Sequence, residues 1–254
     1  MDAIKTAARV GLRKAKRYPV LYRLWYLLYR RNTGVPIPWF SARTRLYVDG
    51  YPRSGNTFVQ FLIKNLWPSM EYVHHFHSIA PLKIALNRHI PTFVLFRYPG
   101  ASISSNYLKT FAMQGNISTL QIQTDLRLLR ELTKAYSDYY QFVSMNTDYL
   151  NLIDFETLIS NPASVMVSIN QEISEQLQLH RHSIIRSVNE IKDRDFGARD
   201  PLGSSKPTPD KEHAKKTLID SIGQFEEYGR CLELYESLKE TSLAQHSNNG
   251  SRKI

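Results

Sequence analysis

The chain has 254 residues, 42% hydrophobic and 22% charged, and a net charge of +10, a composition typical of a folded globular domain. Its single cysteine, Cys231, excludes a disulfide framework and a cysteine-rich zinc module. No apolar run approaches the roughly 20 residues of a membrane-spanning helix, and the first residues lack the apolar core of a secretory signal, so we expect a cytoplasmic protein.

The positive charge is concentrated at the start of the chain. Residues 1–31 contain nine basic residues and one acidic residue, whereas the rest contains 24 basic and 22 acidic residues. Because the body is nearly neutral, we expect no nucleic-acid partner. The sequence therefore predicts a basic helical arm over residues 1–33, a domain over 40–245 and a flexible polar tail over 246–254.

The arm has the pattern of an amphipathic helix. Pro19 suits a first helical turn, and apolar residues at helical spacing follow it. These are Val20, Leu21, Leu24, Trp25, Leu27 and Leu28. Tyrosines and arginines border this stripe, which is typical of a helix at a bilayer interface, so residues 1–31 are a candidate for peripheral membrane contact. Packing of the stripe on the domain, or a role as an organelle transit peptide, remains open.

A phosphate-binding loop is predicted after a proline-containing linker. The strand Arg45–Asp49 leads into a glycine-bearing loop and then into a helix, and the N-terminus of such a helix binds anions. Gly50 and Gly55 have the spacing of a Walker A loop. Asn56 stands where that loop requires lysine, and the cation is Arg53 instead. This difference argues against a kinase or a nucleotide hydrolase.

The segment Tyr51–Phe58, Y-P-R-S-G-N-T-F, closely resembles the 5′-phosphosulfate loop Y-P-K-S-G-T-T-W of PAPS-dependent sulfotransferases. These enzymes transfer the sulfuryl group of PAPS (3′-phosphoadenylyl sulfate) to an acceptor hydroxyl or amine and release PAP. The resemblance implies that Arg53 stabilises the departing phosphate and that Phe58 stacks on adenine. The residues implied to hold the 5′-phosphosulfate are Ser54, Gly55, Asn56 and Thr57.

A second segment adds to this resemblance. The apolar run Pro91–Arg97 predicts a buried parallel strand that ends in a cation, and the helix after it contains Ser105. The family's 3′-phosphate segment, R-x-P-x-D-x-x-x-S, is matched at Arg97, Pro99 and Ser105, with Ala101 in place of aspartate. The resemblance implies that Arg97 and Ser105 bind the 3′-phosphate, which distinguishes PAPS from ATP.

Three histidines, His74, His75 and His77, lie between the two segments. The family has a K-[ST]-H-x-P segment here that supplies a general base, and His77 aligns with its histidine and His75 with its lysine. Imidazole suits this role because it titrates near neutral pH. Which of the two acts is left open. Zinc binding is the competing hypothesis, but a usual ligand set is incomplete, and we expect no metal.

The remaining elements are predicted from periodicity and composition. They are a helix over Thr119–Val143, a strand over Tyr149–Glu156, a loop over Gly197–Lys216 and a helix over Thr217–Leu238. The strand resembles the family's Y-E-D-L segment and is expected to brace the nucleotide loop. No R-K-G clamp for the 3′-phosphate occurs in the late loop, where Lys206, Lys211, Lys215 and Lys216 are the substitutes.

The sequence thus predicts an α/β fold with a mainly parallel central sheet flanked by helices, similar to the P-loop-like sulfotransferase fold. The expected function is sulfuryl transfer from PAPS with His77 as base. The acceptor is a small molecule, a lipid or a glycan. The alternatives are a P-loop nucleoside or small-molecule kinase and a non-enzymatic membrane- or nucleic-acid-binding adaptor built around the basic arm.

Overall fold

The computed structural model describes residues 17–33, 39–113, 124–173, 177–193 and 209–251. The strands are β1 (Leu46–Gly50), β2 (Tyr72–His74), β3 (Thr92–Phe96) and β4 (Asn151–Asp154). The first helices are α1 (Pro19–Thr33), α2 (Asn56–Leu66), α3 (Ile79–Asn87), α4 (Pro99–Met113) and α5 (Leu126–Ser144). The later helices are α6 (Phe155–Ser160), α7 (Pro162–Glu172), α8 (Arg181–Asp193), α9 (Pro209–Ile222) and α10 (Glu226–Ser251).

The four strands form one parallel sheet in the order β2-β1-β3-β4, which confirms the predicted α/β class. In this register Gly50 lies opposite Leu95, and Phe96 lies opposite Asp154. The carboxyl ends of β1, β3 and β4 therefore meet at the same edge of the sheet. Side chains that follow these strands are brought together at that edge.

Helices cover both faces of the sheet, so the strands are apolar on both sides. Val94 and Phe96 of β3 lie in the hydrophobic cluster formed with α4, α5 and α10, whereas Phe93 and Leu95 lie in the cluster formed with α2, α7 and α8. This alternation follows from the two-residue repeat of a strand. The sheet is thus the middle of three layers.

Helix α1 packs on the domain, but not through the predicted leucine stripe. Its buried residues are Tyr22 and Tyr26, each 2% exposed. The ring of Tyr26 stacks on Trp39 at 4.5 Å between centroids, and Tyr22 meets Phe76 edge-on at 5.8 Å. The leucines of the stripe are exposed. Within the described ranges, no helix is long and apolar enough to cross a membrane.

Two predictions for the C-terminal region are wrong. The predicted loop over Gly197–Lys216 becomes helical at Pro209, because proline is favourable in a first helical turn; the part before Pro209 lies outside the described residues. The predicted single helix over Thr217–Leu238 is in fact two helices separated at Gly223. Glycine is a poor helix former, and the chain turns after the Gly223 N–H has donated to the Ile219 carbonyl. Cys231 is buried.

Two element boundaries are also corrected. The helix predicted from Thr119 begins at Leu126, because the Asp125 carboxylate accepts the N–H groups of Arg127 and Leu128 as an N-cap; residues 119–123 lie outside the described part. The strand predicted over Tyr149–Glu156 is limited to β4. A 3₁₀ turn precedes it, and the Asp154 carboxylate caps α6 directly after it.

Helix α5 fixes the carboxyl edge of the sheet with tyrosine hydroxyls. The buried Tyr140 hydroxyl donates to the Leu95 carbonyl at 2.7 Å and accepts the Tyr51 N–H at 3.2 Å. The Tyr136 hydroxyl donates to the Arg97 carbonyl at 2.7 Å. These contacts join β3 to the loop that follows β1.

We expect Tyr140→Phe to lower the free energy of unfolding by about 1–3 kcal/mol, because buried backbone groups lose their partner while the ring is kept. Urea denaturation followed by circular dichroism measures this change. The matched control is Tyr149→Phe at a position 75% exposed, which is expected to change stability little. Equal effects of the two substitutions would contradict the structural role of the Tyr140 hydroxyl.

Candidate functional site

A crevice opens between the carboxyl ends of β1 and β3. The chain leaves β1 towards β2 on one side of the sheet and leaves β3 towards β4 on the other. Connections that diverge in this way create the usual ligand site of an open parallel sheet. The loop from Tyr51 to Gly55 follows β1, and Arg97 follows β3. Both predicted nucleotide segments therefore lie at this crevice.

The glycines of the loop are required by its geometry. Gly55, at φ 97°, has a left-handed conformation, and a Cβ atom there would lie 2.8 Å from the Leu158 side chain. A Cβ atom on Gly50 would lie 2.2 Å from the Leu95 carbonyl oxygen. The Asn56 side chain donates to the carbonyls of Gly50 and Tyr51 at 3.4 and 3.1 Å. Asn56 therefore holds the loop closed by its own amide group.

Ser54 is fully buried beneath the loop. Its hydroxyl lies 3.2 Å from both the Ser102 and the Tyr140 hydroxyls, and its N–H donates to the Tyr51 carbonyl. The next N–H groups belong to the first turn of α2, where helical N–H groups have no partner within the helix. Helix N-termini of this kind attract anions, and at α2 these amides begin at Asn56. Phe58 is half-buried against the cluster formed with α7 and α8.

Two arginines from different segments meet at the crevice. The Arg53 Nε donates to the Ser105 hydroxyl at 2.9 Å, and the Arg97 Nη1 donates to the Arg53 carbonyl at 3.2 Å. Arg53 has a positive φ of 72°, which is uncommon for a residue with a side chain. The predicted residues Arg53, Arg97 and Ser105 thus form one contiguous group.

Positive charge in this group is partly desolvated. Burial lowers the pKa of Arg53. Burial and the charge of Arg53 lower the pKa of Arg97 and of Lys109, whereas the charge of Glu156 raises the pKa of Arg97. The Arg97 guanidinium lies 3.9 Å from the centre of the Phe155 ring. Its buried Nε has no hydrogen-bond partner among the described residues. Such a site favours an anion, which would compensate the positive charge.

The segment after β4 braces this group, as predicted. Asp154 caps α6, which places Phe155 under the Arg97 guanidinium. Phe155 and Leu158 also occupy the space beside Gly55, so they fix the shape of the loop. This segment thus contacts both the loop and the arginine.

His77 is oriented by a buried carboxylate. The Asp49 Oδ2 accepts the His77 N–H at 2.8 Å and the Tyr47 hydroxyl at 2.6 Å. The His77 Nδ1 lies 2.6 Å from the Gly50 carbonyl oxygen and 3.2 Å from the Asp49 Oδ1. Both neighbours of Nδ1 are acceptors, so in the neutral ring the proton lies on Nδ1 and the free electron pair lies on Nε2.

Sequence reasoning missed Asp49. Its signal was present, since an acidic residue directly before Gly50 interrupts an otherwise apolar strand. Asp49 is fully buried, and a buried carboxylate requires hydrogen-bond donors nearby. The donors come from Tyr47 and from the histidine segment, which the sequence alone did not bring next to β1.

The other two histidines bond to each other. The Nδ1 atoms of His74 and His75 are 2.7 Å apart, and the His75 Nε2 lies 3.2 Å from the Thr57 hydroxyl. Burial lowers the pKa of His74 to about 4 and, together with the charges of the other histidines, lowers that of His75 to about 3. His75 is therefore a weak base. In the part of the chain that the structure describes, no group of three or more His, Cys, Asp or Glu residues is arranged to hold a metal ion.

The late lysines Lys211, Lys215 and Lys216 lie on α9 rather than on a loop. Lys211 is buried, and the Lys215 ammonium pairs with the Glu212 carboxylate at 2.6 Å. Lys216 is exposed, and Lys206 lies outside the described residues. The Glu212 charge acts on Arg97, so the start of α9 lies near the crevice. A contact of these lysines with the 3′-phosphate stays a prediction.

Comparisons with known proteins find similar solved structures but no related sequence family. No family model and no curated protein matches the sequence. Among solved structures, mouse sulfotransferase SULT7A1 complexed with PAP is similar to the chain, with a TM-score of 0.47 and 12% identity over 78% of this chain and 90% of that one. A functional conclusion therefore depends on the geometry of the crevice and on the sequence motifs.

The pKa shifts of His74 and His75 predict a pH-dependent stability. Both pKa values are lowered from 6.5 in the folded protein, so the unfolded chain takes up protons first as the pH falls, and the free energy of unfolding decreases. We expect a loss of roughly 1–2 kcal/mol per histidine between about pH 7 and about pH 5. Urea denaturation at the two pH values measures it.

The double variant His74→Gln/His75→Gln should show a flatter pH dependence, since glutamine does not titrate. The control is His182→Gln on the exposed surface of α8, which should keep the wild-type dependence. If the double variant and the wild type lose equal stability on acidification, the two histidines are not buried in neutral form.

Proposed function

We propose that this chain is a sulfotransferase that uses PAPS as donor and a hydroxyl or amine of a small molecule, lipid or glycan as acceptor. The observation that carries the proposal is the contiguous group of Arg53, Arg97 and Ser105 at the β1/β3 crevice, beside the N-terminus of α2. The spacing of these residues also resembles the two phosphate-binding segments of PAPS-dependent sulfotransferases. PAPS, with an anionic group on either side of its ribose, fits two such cationic positions.

The proposed nucleotide-binding residues form two sets, one for each anionic group of the donor. The N–H groups of Gly55, Asn56 and Thr57 would hold the 5′-phosphosulfate, aided by the positive end of α2. Arg97 and the Ser105 hydroxyl would hold the 3′-phosphate, with the guanidinium kept in place by Phe155. The buried hydroxyl of Ser54 would act indirectly, by supporting the loop. The stacking of Phe58 on adenine stays part of the proposal.

The donor supplies an activated sulfuryl group, and the chain moves one proton. The His77 Nε2 accepts the proton of the acceptor hydroxyl while that oxygen forms a bond to sulfur. The bond between sulfur and the bridging oxygen breaks, and the electron pair leaves with PAP. Arg53 stabilises the negative charge that grows on the leaving phosphate. Asp49 is a positioning residue, because its Oδ2 accepts the His77 backbone N–H and its Oδ1, together with the Gly50 carbonyl, faces Nδ1.

A phosphoryl-transfer function is less consistent with the site. In a Walker A loop the residue after the second glycine is a lysine that reaches the phosphates. Here Asn56 occupies that position, and its amide is bonded to loop carbonyls. Isothermal titration should accordingly give far tighter binding of PAP than of ATP with magnesium. Binding of ATP with magnesium at equal or higher affinity would favour the kinase alternative.

Substitution of the two arginines is expected to affect different properties, PAP binding for Arg97 and the transfer rate for Arg53. Arg97→Ala should weaken PAP binding by about tenfold or more, because a charge-assisted contact to the 3′-phosphate is lost. Arg53→Ala should lower the transfer rate by about 10²-fold while PAP still binds, because its charge acts on the transition state. Titration with PAP and transfer of ³⁵S from labelled PAPS to an acceptor panel measure the two effects.

The matched control for both substitutions is Arg88→Ala, at an exposed position after α3, which should change neither property. Equal loss of binding and transfer in Arg53→Ala and Arg97→Ala would overturn the division of roles. An absence of PAP binding by the folded wild-type chain would overturn the proposed function itself.

The base is tested by separating His77 from His75. We expect His77→Gln to abolish most of the ³⁵S transfer and to leave PAP affinity unchanged, because the base contacts the acceptor and not the nucleotide. His75→Gln should retain most of the transfer. If instead His75→Gln loses transfer and His77→Gln keeps it, the assignment of the base is wrong.

Asp49→Asn tests the positioning role of the carboxylate. The amide has the same size but can present an N–H to the His77 Nδ1, which disfavours the productive tautomer. We expect a lower kcat, by roughly 10²-fold, with little change in the KM for PAPS and a shifted pH–rate profile. A loss of folding in this variant would be detected by circular dichroism. A folded variant with an unchanged pH–rate profile would contradict the role of Asp49.

A further inference from the structure

We infer that α1 docks the protein on the surface of an anionic bilayer through its leucine face, defined as Val20, Leu21, Leu24, Leu27 and Leu28. This inference goes beyond the proposed function and does not depend on it. It concerns where the protein acts, whichever reaction the crevice catalyses.

The leucine face is exposed although the helix is packed. The exposed fractions of Val20, Leu21, Leu24, Leu27 and Leu28 are 73%, 48%, 54%, 52% and 61%. The tyrosines on the opposite side attach α1 to the domain and are almost fully buried. The leucine face is therefore not used by the packing of α1, and it presents neighbouring aliphatic side chains together.

The geometry of this face suits a helix that lies in a bilayer interface. At 100° per residue, residues 20, 21, 24, 27 and 28 fall within a sector of about 120° of the helix surface. From Val20 to Leu28 the face is about 12 Å long, much less than the thickness of a bilayer. Such a face can insert to the depth of the acyl boundary while the axis stays parallel to the membrane.

Charge complementarity favours anionic lipid as the partner of α1. Residues 1–31 contain nine basic residues and one acidic residue. Among them Arg23 has an exposed side chain on α1, whereas the Arg17 guanidinium pairs with the Asp138 carboxylate. Anionic lipid headgroups attract such a segment. A second copy of the chain would bring two strongly basic segments together, which is unfavourable. Nucleic acid would satisfy the charge but leave the leucine face in water.

Docking would bring the catalytic segment close to the membrane. The buried face of α1 contacts Phe76, which lies between His75 and His77 in the sequence. With the leucine face in the interface, the histidine segment would lie about one helix diameter, ~10 Å, from the bilayer surface.

Vesicle co-sedimentation of the full chain tests this inference. We expect the wild type to sediment with phosphatidylcholine vesicles that contain phosphatidylserine, more weakly with phosphatidylcholine alone, and less as salt is added. The variant Leu24→Gln/Leu27→Gln/Leu28→Gln should lose about tenfold or more of the binding, because its apolar contact with the acyl region is removed.

The matched control is Leu126→Gln/Met145→Gln/Ile185→Gln, which replaces three exposed apolar side chains elsewhere on the domain and should bind vesicles like the wild type. Circular dichroism and PAP titration verify that each variant is folded. Equal sedimentation of the leucine-face variant and the wild type would overturn the inference. So would a wild-type dimer in lipid-free solution that the leucine-face variant disrupts, since the face would then join two copies.

Discussion

The hydroxyl of Tyr140 is the contact on which the geometry of the crevice depends. It donates to the carbonyl of Leu95 in β3, accepts the N–H of Tyr51 in the loop after β1, and lies beside the buried hydroxyl of Ser54. One buried group therefore fixes the spacing between the start of the loop that carries Arg53 and the strand that precedes Arg97. Since buried polar groups must be satisfied, a change in this spacing would leave backbone groups without partners.

The same principle acts on the other side of β1. The Asp49 carboxylate is buried, and its donors are the Tyr47 hydroxyl and the backbone N–H of His77. The histidine segment is thus held against β1 by the need to compensate a buried charge. Its positive φ angles at His75 and His77 show that the backbone adopts an unfavourable conformation to make these contacts.

Much of this arrangement could be predicted from the sequence, because short motifs encode local geometry. Gly50, Gly55 and the apolar run before Arg97 predicted a parallel sheet with an anion site at its carboxyl edge. The partnership of Asp49 with His77 could not be predicted, since it depends on which strands are neighbours in the sheet. The error at Gly223 has a different cause: one glycine within a helical pattern is tolerated or breaks the helix, depending on tertiary contacts.

Helix α1 shows that helical periodicity alone does not determine which face of a helix is buried. The 3.6-residue repeat identified an apolar stripe, but the buried face is formed by Tyr22 and Tyr26, because Trp39 and Phe76 offer aromatic surfaces that fit flat rings. The Tyr22 hydroxyl also interacts with Ser78. Burial raises the pKa of Tyr22, and the charge of Asp49 raises it further. One side of the helix thus contacts Phe76 in the histidine segment, while the other presents leucines outward.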